Sequence, residues 1–138
     1  MEKLFWIADD DPDDRMIIND AFSESAYCDQ LAFFEDGEQL LQTLKKKLAT
    51  APSTVPALLI LDLNMPKVNG VEVLQSIKKN KSTSGIPVVI LSTSKSERDK
   101  EKAIKLGANE FITKPISFDM MVEITRNLIE KYGKYETS

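Results

Sequence analysis

Residues 57–66 read Ala57-Leu58-Leu59-Ile60-Leu61-Asp62-Leu63-Asn64-Met65-Pro66. An unbroken apolar run with no polar alternation describes a strand buried on both faces. Asp62 closes the run, so a carboxylate stands where a buried strand ends. The same arrangement recurs on either side. Leu4 to Ala8 ends in Asp9 and Asp10, and Pro87 to Leu91 ends in Ser92. Glu110 to Thr113 ends in Lys114-Pro115, and Leu31 to Phe34 completes a set of five runs.

Between the runs lie segments with helical spacing. Ile17, Ile18, Ala21 and Phe22 mark one apolar face. Leu40, Leu41, Leu44 and Leu48 mark a second, and Val73, Leu74 and Ile77 a third. Ala103, Ile104 and Leu106 mark a weaker fourth, and Met121, Ile124, Leu128 and Ile129 the last. Asp11-Pro12 supplies a capping carboxylate and a proline for the first helical position. Ser94-Lys95-Ser96-Glu97 fits a capping box for the fourth helix. Gly107 reads as a left-handed helix terminator and Ser117 as the cap of the last helix. Thr50 to Pro56 reads as a long loop.

Five strand–helix units with continuous apolar strands imply an α/β fold with a doubly wound parallel sheet, helices on both faces and right-handed crossovers. Ligands bind such sheets beyond the carboxyl ends of the strands. Asp9, Asp10, Asp62, Ser92 and Lys114 all fall on that edge.

A length of 138 residues fits one domain over 1–138, with a core over about 3–132 and a polar tail. A net charge of −4 argues against nucleic acid or an anionic membrane as a partner. No apolar stretch approaches the ~18 residues of a membrane span. A single cysteine, Cys28, cannot form an internal disulfide, which suits a cytoplasmic setting. The chain has no histidine. That excludes Ser-His-Asp and Cys-His nucleophiles, and zinc sites built on imidazole. It also excludes a histidine phosphodonor within the chain.

Asp9, Asp10 and Asp62 facing one pocket would repel each other. A hard cation removes that penalty, and Mg²⁺ (or Mn²⁺) takes oxygen ligands. Asp62 is then a candidate nucleophile toward phosphorus, Lys114 a counter-charge for phosphoryl oxygens, and Ser92 a hydroxyl able to bond the modified group.

In these residues the chain resembles the receiver domain of two-component response regulators, over nearly its full length. Asp9 and Asp10 match the acidic pair after the first strand, and Asp62 the phospho-accepting aspartate. Asn64 falls where the family offers a backbone carbonyl to the metal. Gly70 matches the turn glycine after that loop. Ser92 and Phe111 match the two switch positions, and Lys114-Pro115 a lysine that the family usually joins to proline by a cis bond. The long connection into the third strand is similar to that of single-domain regulators serving phytochrome-type kinases. Three departures stand out: serine at the hydroxyl switch, Phe111 with no hydroxyl, and Lys67 where glycine is frequent.

The resemblance implies a flavodoxin-like sheet in order 2-1-3-4-5. It implies a metal held by Asp10 directly, by Asp9 directly or through water, by Asp62 and by the Asn64 carbonyl. It also implies phosphoryl transfer from a sensor histidine kinase or histidine phosphotransfer protein. Ser92 and Phe111 then signal to a downstream protein target through the fourth helix, fifth strand and fifth helix, a face that also offers a route to a homodimer. Such a chain is no classical enzyme, since it catalyses only its own phosphorylation and dephosphorylation. A phosphatase of the haloacid dehalogenase type needs a second aspartate two residues after the nucleophile, and Asn64 stands there. A receiver-shaped binding module indifferent to phosphorylation is the other alternative.

Overall fold

The computed structural model describes residues 4–25, 31–51 and 55–133. Five strands alternate with five helices: β1 (Phe5–Ala8), α1 (Pro12–Glu24), β2 (Leu31–Phe34), α2 (Gly37–Thr50), β3 (Leu58–Leu61), α3 (Gly70–Lys79), β4 (Val88–Ser92), α4 (Glu97–Lys105), β5 (Glu110–Thr113) and α5 (Phe118–Tyr132). All strand pairs are parallel and the sheet runs β2-β1-β3-β4-β5.

Strand alternation divides the core into two layers. Trp6, Ala8, Leu59, Leu61, Val88 and Ile90 face α2, α3 and α4, meeting Leu40, Leu44, Val73, Leu74, Ile77 and Ala103. Phe5, Ile7, Leu58, Ile60, Val89 and Leu91 face the other way, onto Ile18, Ala21, Phe22, Met121, Val122 and Leu128 of α1 and α5. Both faces are covered, which is why β1, β3 and β4 carry no polar alternation.

Register brings the strand ends together. Ala8 pairs with both Phe34 and Leu61, so Asp9 and Asp62 leave the sheet side by side. The Asp62 amide donates to the Ala8 carbonyl at 3.0 Å. Ser92 pairs with Thr113, and the Lys114 amide donates to the Ser92 carbonyl at 2.7 Å.

Asp11 caps α1 through the Asp13 amide with Pro12 in the first turn, and Ser117 caps α5 through the Met120 amide. Gly107 takes a φ of 112° beyond α4. Other expectations are corrected. The α4 cap is Ser96, which accepts from the Asp99 amide. Ser94 is committed elsewhere, donating to Asp99 Oδ2 at 2.6 Å, so no box forms with Glu97. A capping box forms instead at the start of α3, between Asn69 and Glu72. Strands β1, β3 and β4 each begin one residue later than their apolar runs, and β4 takes in Ser92. Thr50 belongs to α2 rather than the loop. Ile17 and Ile104 point outward. Cys28 and the tail after Gly133 lie outside the described residues. Among the described residues, no helix is long and apolar enough to cross a membrane.

Candidate functional site

Asp9 follows β1 and is 2% exposed. Three bonds fix it. Its Oδ1 accepts from the Asp11 amide at 3.0 Å, its backbone carbonyl accepts from Arg15 Nη1 at 2.7 Å, and its Oδ2 accepts from Lys114 Nζ at 2.7 Å. Burial raises the Asp9 carboxyl pKa above its ordinary value. The Lys114 ammonium and the Asp11 amide pull against that, while the Asp62 charge adds to it.

Asp62, at the end of β3, is also buried. Its Oδ2 lies 3.2 Å from Lys114 Nζ, and its Oδ1 is 3.5 Å from the Asn64 amide. Asp10 is exposed, yet carboxylate oxygens of Asp9, Asp10 and Asp62 all lie within 4.8 Å of one another. Opposed oxygen ligands of an octahedral Mg²⁺ stand about 4.2 Å apart, at roughly 2.1 Å each from the ion. An all-oxygen donor set of this span fits a small hard cation.

Lys114, at the end of β5, is the counter-charge. It donates to Asp9, to Asp62 and, at 2.7 Å, to Oδ2 of Asp14 in the first turn of α1. Burial alone would lower the ammonium pKa. Hydrogen bonds to Asp14 and Asp9, with the charges of Asp9 and Asp62, outweigh it and hold the group above the usual lysine range. The lysine is therefore a fixed cation. The Lys114–Pro115 bond is trans, contrary to the cis bond that the family resemblance implied. Trans is the lower-energy isomer of an X–Pro bond, and Lys114 reaches the pocket in it.

Ser92 is fully buried at the end of β4, and its Oγ accepts from the Ser94 amide at 3.3 Å. Phe111 is half-buried on β5 and packs on the layer under α4. Asn64 is exposed in the loop after β3.

The structure thus brings Asp9, Asp10, Asp62 and Lys114 together, with Ser92 at the adjoining strand end. Asp14 and Arg15 also join the site, and the sequence pattern does not single them out. Both lie in the first turns of α1, where an acid reads as a partner of the helix dipole and a base as solvated surface. Their spacing of five and six residues from Asp9 was the available signal.

A family model described as the response regulator receiver domain matches residues 5–126. Response regulator Rcp1 of Synechocystis sp. is 33% identical over 112 residues, covering 81% of this chain and 76% of its own length. The phosphorylated cyanobacterial phytochrome response regulator RcpA superposes with a TM-score of 0.85 at 31% identity, over 96% of this chain and 94% of that one. A Mn²⁺-bound form of Rcp1 superposes with a TM-score of 0.82 at 28% identity, over 98% and 97%.

Proposed function

The chain belongs to the response regulator receiver family of two-component signalling, and from that premise we propose that Asp62 is its phospho-accepting group. The observation that carries this reading is the bond from Lys114 Nζ to Asp62 at 3.2 Å, in a pocket where Asp9 and Asp10 stand within ligand distance. Asp9, Asp10, Asp62 and the Asn64 carbonyl would hold Mg²⁺ or Mn²⁺, which neutralises charge on the phosphoryl oxygens. A relative with a Mn²⁺-bound form supports the choice of ion.

In the transfer step an Asp62 carboxylate oxygen attacks phosphorus. The bond from phosphorus to the donor breaks, and the donor leaves with its electron pair. Lys114 neutralises a phosphoryl oxygen as Asp62 gives up its own charge. Ser92 then turns its hydroxyl to the new group and Phe111 shifts inward. This biases an existing equilibrium at the face of α4, β5 and α5 toward a downstream protein.

The donor in this reading is a phosphohistidine on a cytoplasmic sensor kinase or phosphotransfer protein, since this chain has no histidine. Exposed Ile17, Ile116 and Phe118 surround the lysine edge of the pocket and give such a partner apolar surface to rest on. A phytochrome-linked kinase is the class favoured by the likeness to RcpA.

The test is acetyl phosphate with Mg²⁺, read by intact mass. One phosphoryl group is expected on the wild-type chain and none on Asp62→Asn. Equal labelling of the two removes Asp62 from the role.

A further inference from the structure

Lys114 has three N–H donors, and the structure accounts for all of them: Asp9 at 2.7 Å, Asp14 at 2.7 Å and Asp62 at 3.2 Å. Two of these acceptors have other work in phosphoryl transfer. Asp9 and Asp62 belong to the cluster that fits a cation, and Asp62 also takes the phosphoryl group. Asp14 belongs to neither. A cation seated among Asp9, Asp10 and Asp62 draws their charge away from the lysine and repels its ammonium. Of the three bonds, only the one to Asp14 involves no member of that carboxylate cluster.

From this we infer that Asp14 is a positioning residue, holding the Lys114 ammonium at the pocket while Asp9 and Asp62 engage the cation and the phosphoryl group. The inference rests on the reading of Asp62 as phospho-acceptor.

Geometry separates this role from that of a helix-dipole acid. An acid that favours the N-terminus of α1 needs no particular partner. Asp13, its neighbour in the same turn, illustrates that case. Asp14 instead reaches from α1 across to the end of β5, a hundred residues along the chain. Its bond equals that of Asp9 in length and is shorter than that of Asp62. The lysine side chain is 8% exposed and that of Asp14 30%, so the pair closes the solvent side of a buried ammonium.

The experiment is a double-mutant cycle on the rate of labelling by acetyl phosphate, at Mg²⁺ saturating for each variant. Asp14→Ala is expected to slow labelling about tenfold, the worth of one charge-assisted hydrogen bond. In a Lys114→Met background the same change is expected to matter less than about twofold, because its target is gone. Asp14→Glu, which restores the carboxylate, is expected to recover most of the wild-type rate. Wild-type labelling in Asp14→Ala, or an equal slowing in both backgrounds, overturns the role while leaving Asp62 as acceptor. A wild-type chain that takes up no phosphoryl group overturns both.

Discussion

Gly70 stands against the backbone of Asp62 so closely that a Cβ at position 70 would lie 2.2 Å from the Asp62 carbonyl oxygen and 2.9 Å from Leu63 Cα. Both obstacles are backbone, and neither can swing aside. The contact ties the start of α3 to the loop that follows Asp62, and the Gly70 amide donates to the Leu63 carbonyl at 3.0 Å. Gly70→Ala must therefore push the loop outward. A loss of about 2–4 kcal/mol is expected, in the range of overpacking that backbone cannot absorb. Urea unfolding checks it. Phosphoryl uptake is expected to fall as well, since Asp62 moves with its carbonyl. Unchanged stability would mean that the loop yields freely.

Lys114 neutralises a cluster of carboxylates, two of them buried, so its removal is costly without metal. Lys114→Met leaves Asp9 and Asp62 facing each other with no cation between them. Breaking such a cluster by deleting one partner costs about 3–5 kcal/mol. A divalent ion substitutes for the missing charge and stabilises by mass action. Thermal unfolding with and without Mg²⁺ is the measurement. A large loss in chelator and a substantial recovery in Mg²⁺ are expected. A variant as stable as wild type in chelator contradicts the account of Lys114 as the structural counter-charge.

Tyr132 and Glu110 give a pH signature away from the pocket. The Tyr132 hydroxyl donates to Glu110 Oε2 at 2.7 Å. Burial first, then the hydrogen bond and the charge of Glu110, push the phenol from 10.0 up to about 12. A folded pKa above the unfolded value gives stability that is fully present below pH 10 and is lost as pH rises through about 12. Difference absorbance titration of wild type against Tyr132→Phe isolates this phenol. Glu110→Gln is expected to move it back toward 10, with part of the shift left because burial persists. A phenol that already titrates at its ordinary value in the wild-type chain contradicts the contact.

The strands were legible because both sheet faces are covered, which leaves runs such as Leu58 to Leu61 without a polar break. The edge carrying the site was legible too, since Asp9, Asp62 and Lys114 each end one of those runs. The order of the strands was not in the runs themselves and came from the family resemblance. Asp14 escaped notice because its partner is remote in sequence, and an acid in a first helical turn has a sufficient local reason to be there. The α4 cap is ambiguous in the sequence for a related reason. Ser94 and Ser96 are both good capping residues, and the bond from the Asp99 amide to Ser96, with Ser94 turned to the Asp99 carboxylate, decides between them. Ile17 matched the helical period yet is exposed, because periodicity locates a face without fixing how far it extends.

Lys67 sits in the same loop as Asp62 and takes a φ of 64°, in the left-handed region that a side chain resists. Glycine adopts that region at no steric cost, which agrees with the glycine that the family resemblance leads one to expect there. Neighbouring contacts hold the loop there. A Cβ at Gly37 would lie 2.2 Å from the Val68 carbonyl oxygen, so the residue after Lys67 is pressed against the start of α2. The Lys67 ammonium reaches Asp36 at 3.7 Å and Glu38 at 3.9 Å, but the side chain is 62% exposed and such pairs contribute little. Comparing Lys67→Gly with Lys67→Ala isolates the backbone, since both lack the ion pairs. A left-handed residue with a Cβ costs about 1–2 kcal/mol, and the greater unfolded-state freedom of glycine offsets about 0.4–1 kcal/mol of that. The glycine variant is expected to be the more stable of the two, by about 1 kcal/mol in urea unfolding. If alanine proves equal or better, position 67 is not strained, and the loop beside Asp62 carries no stored conformational energy.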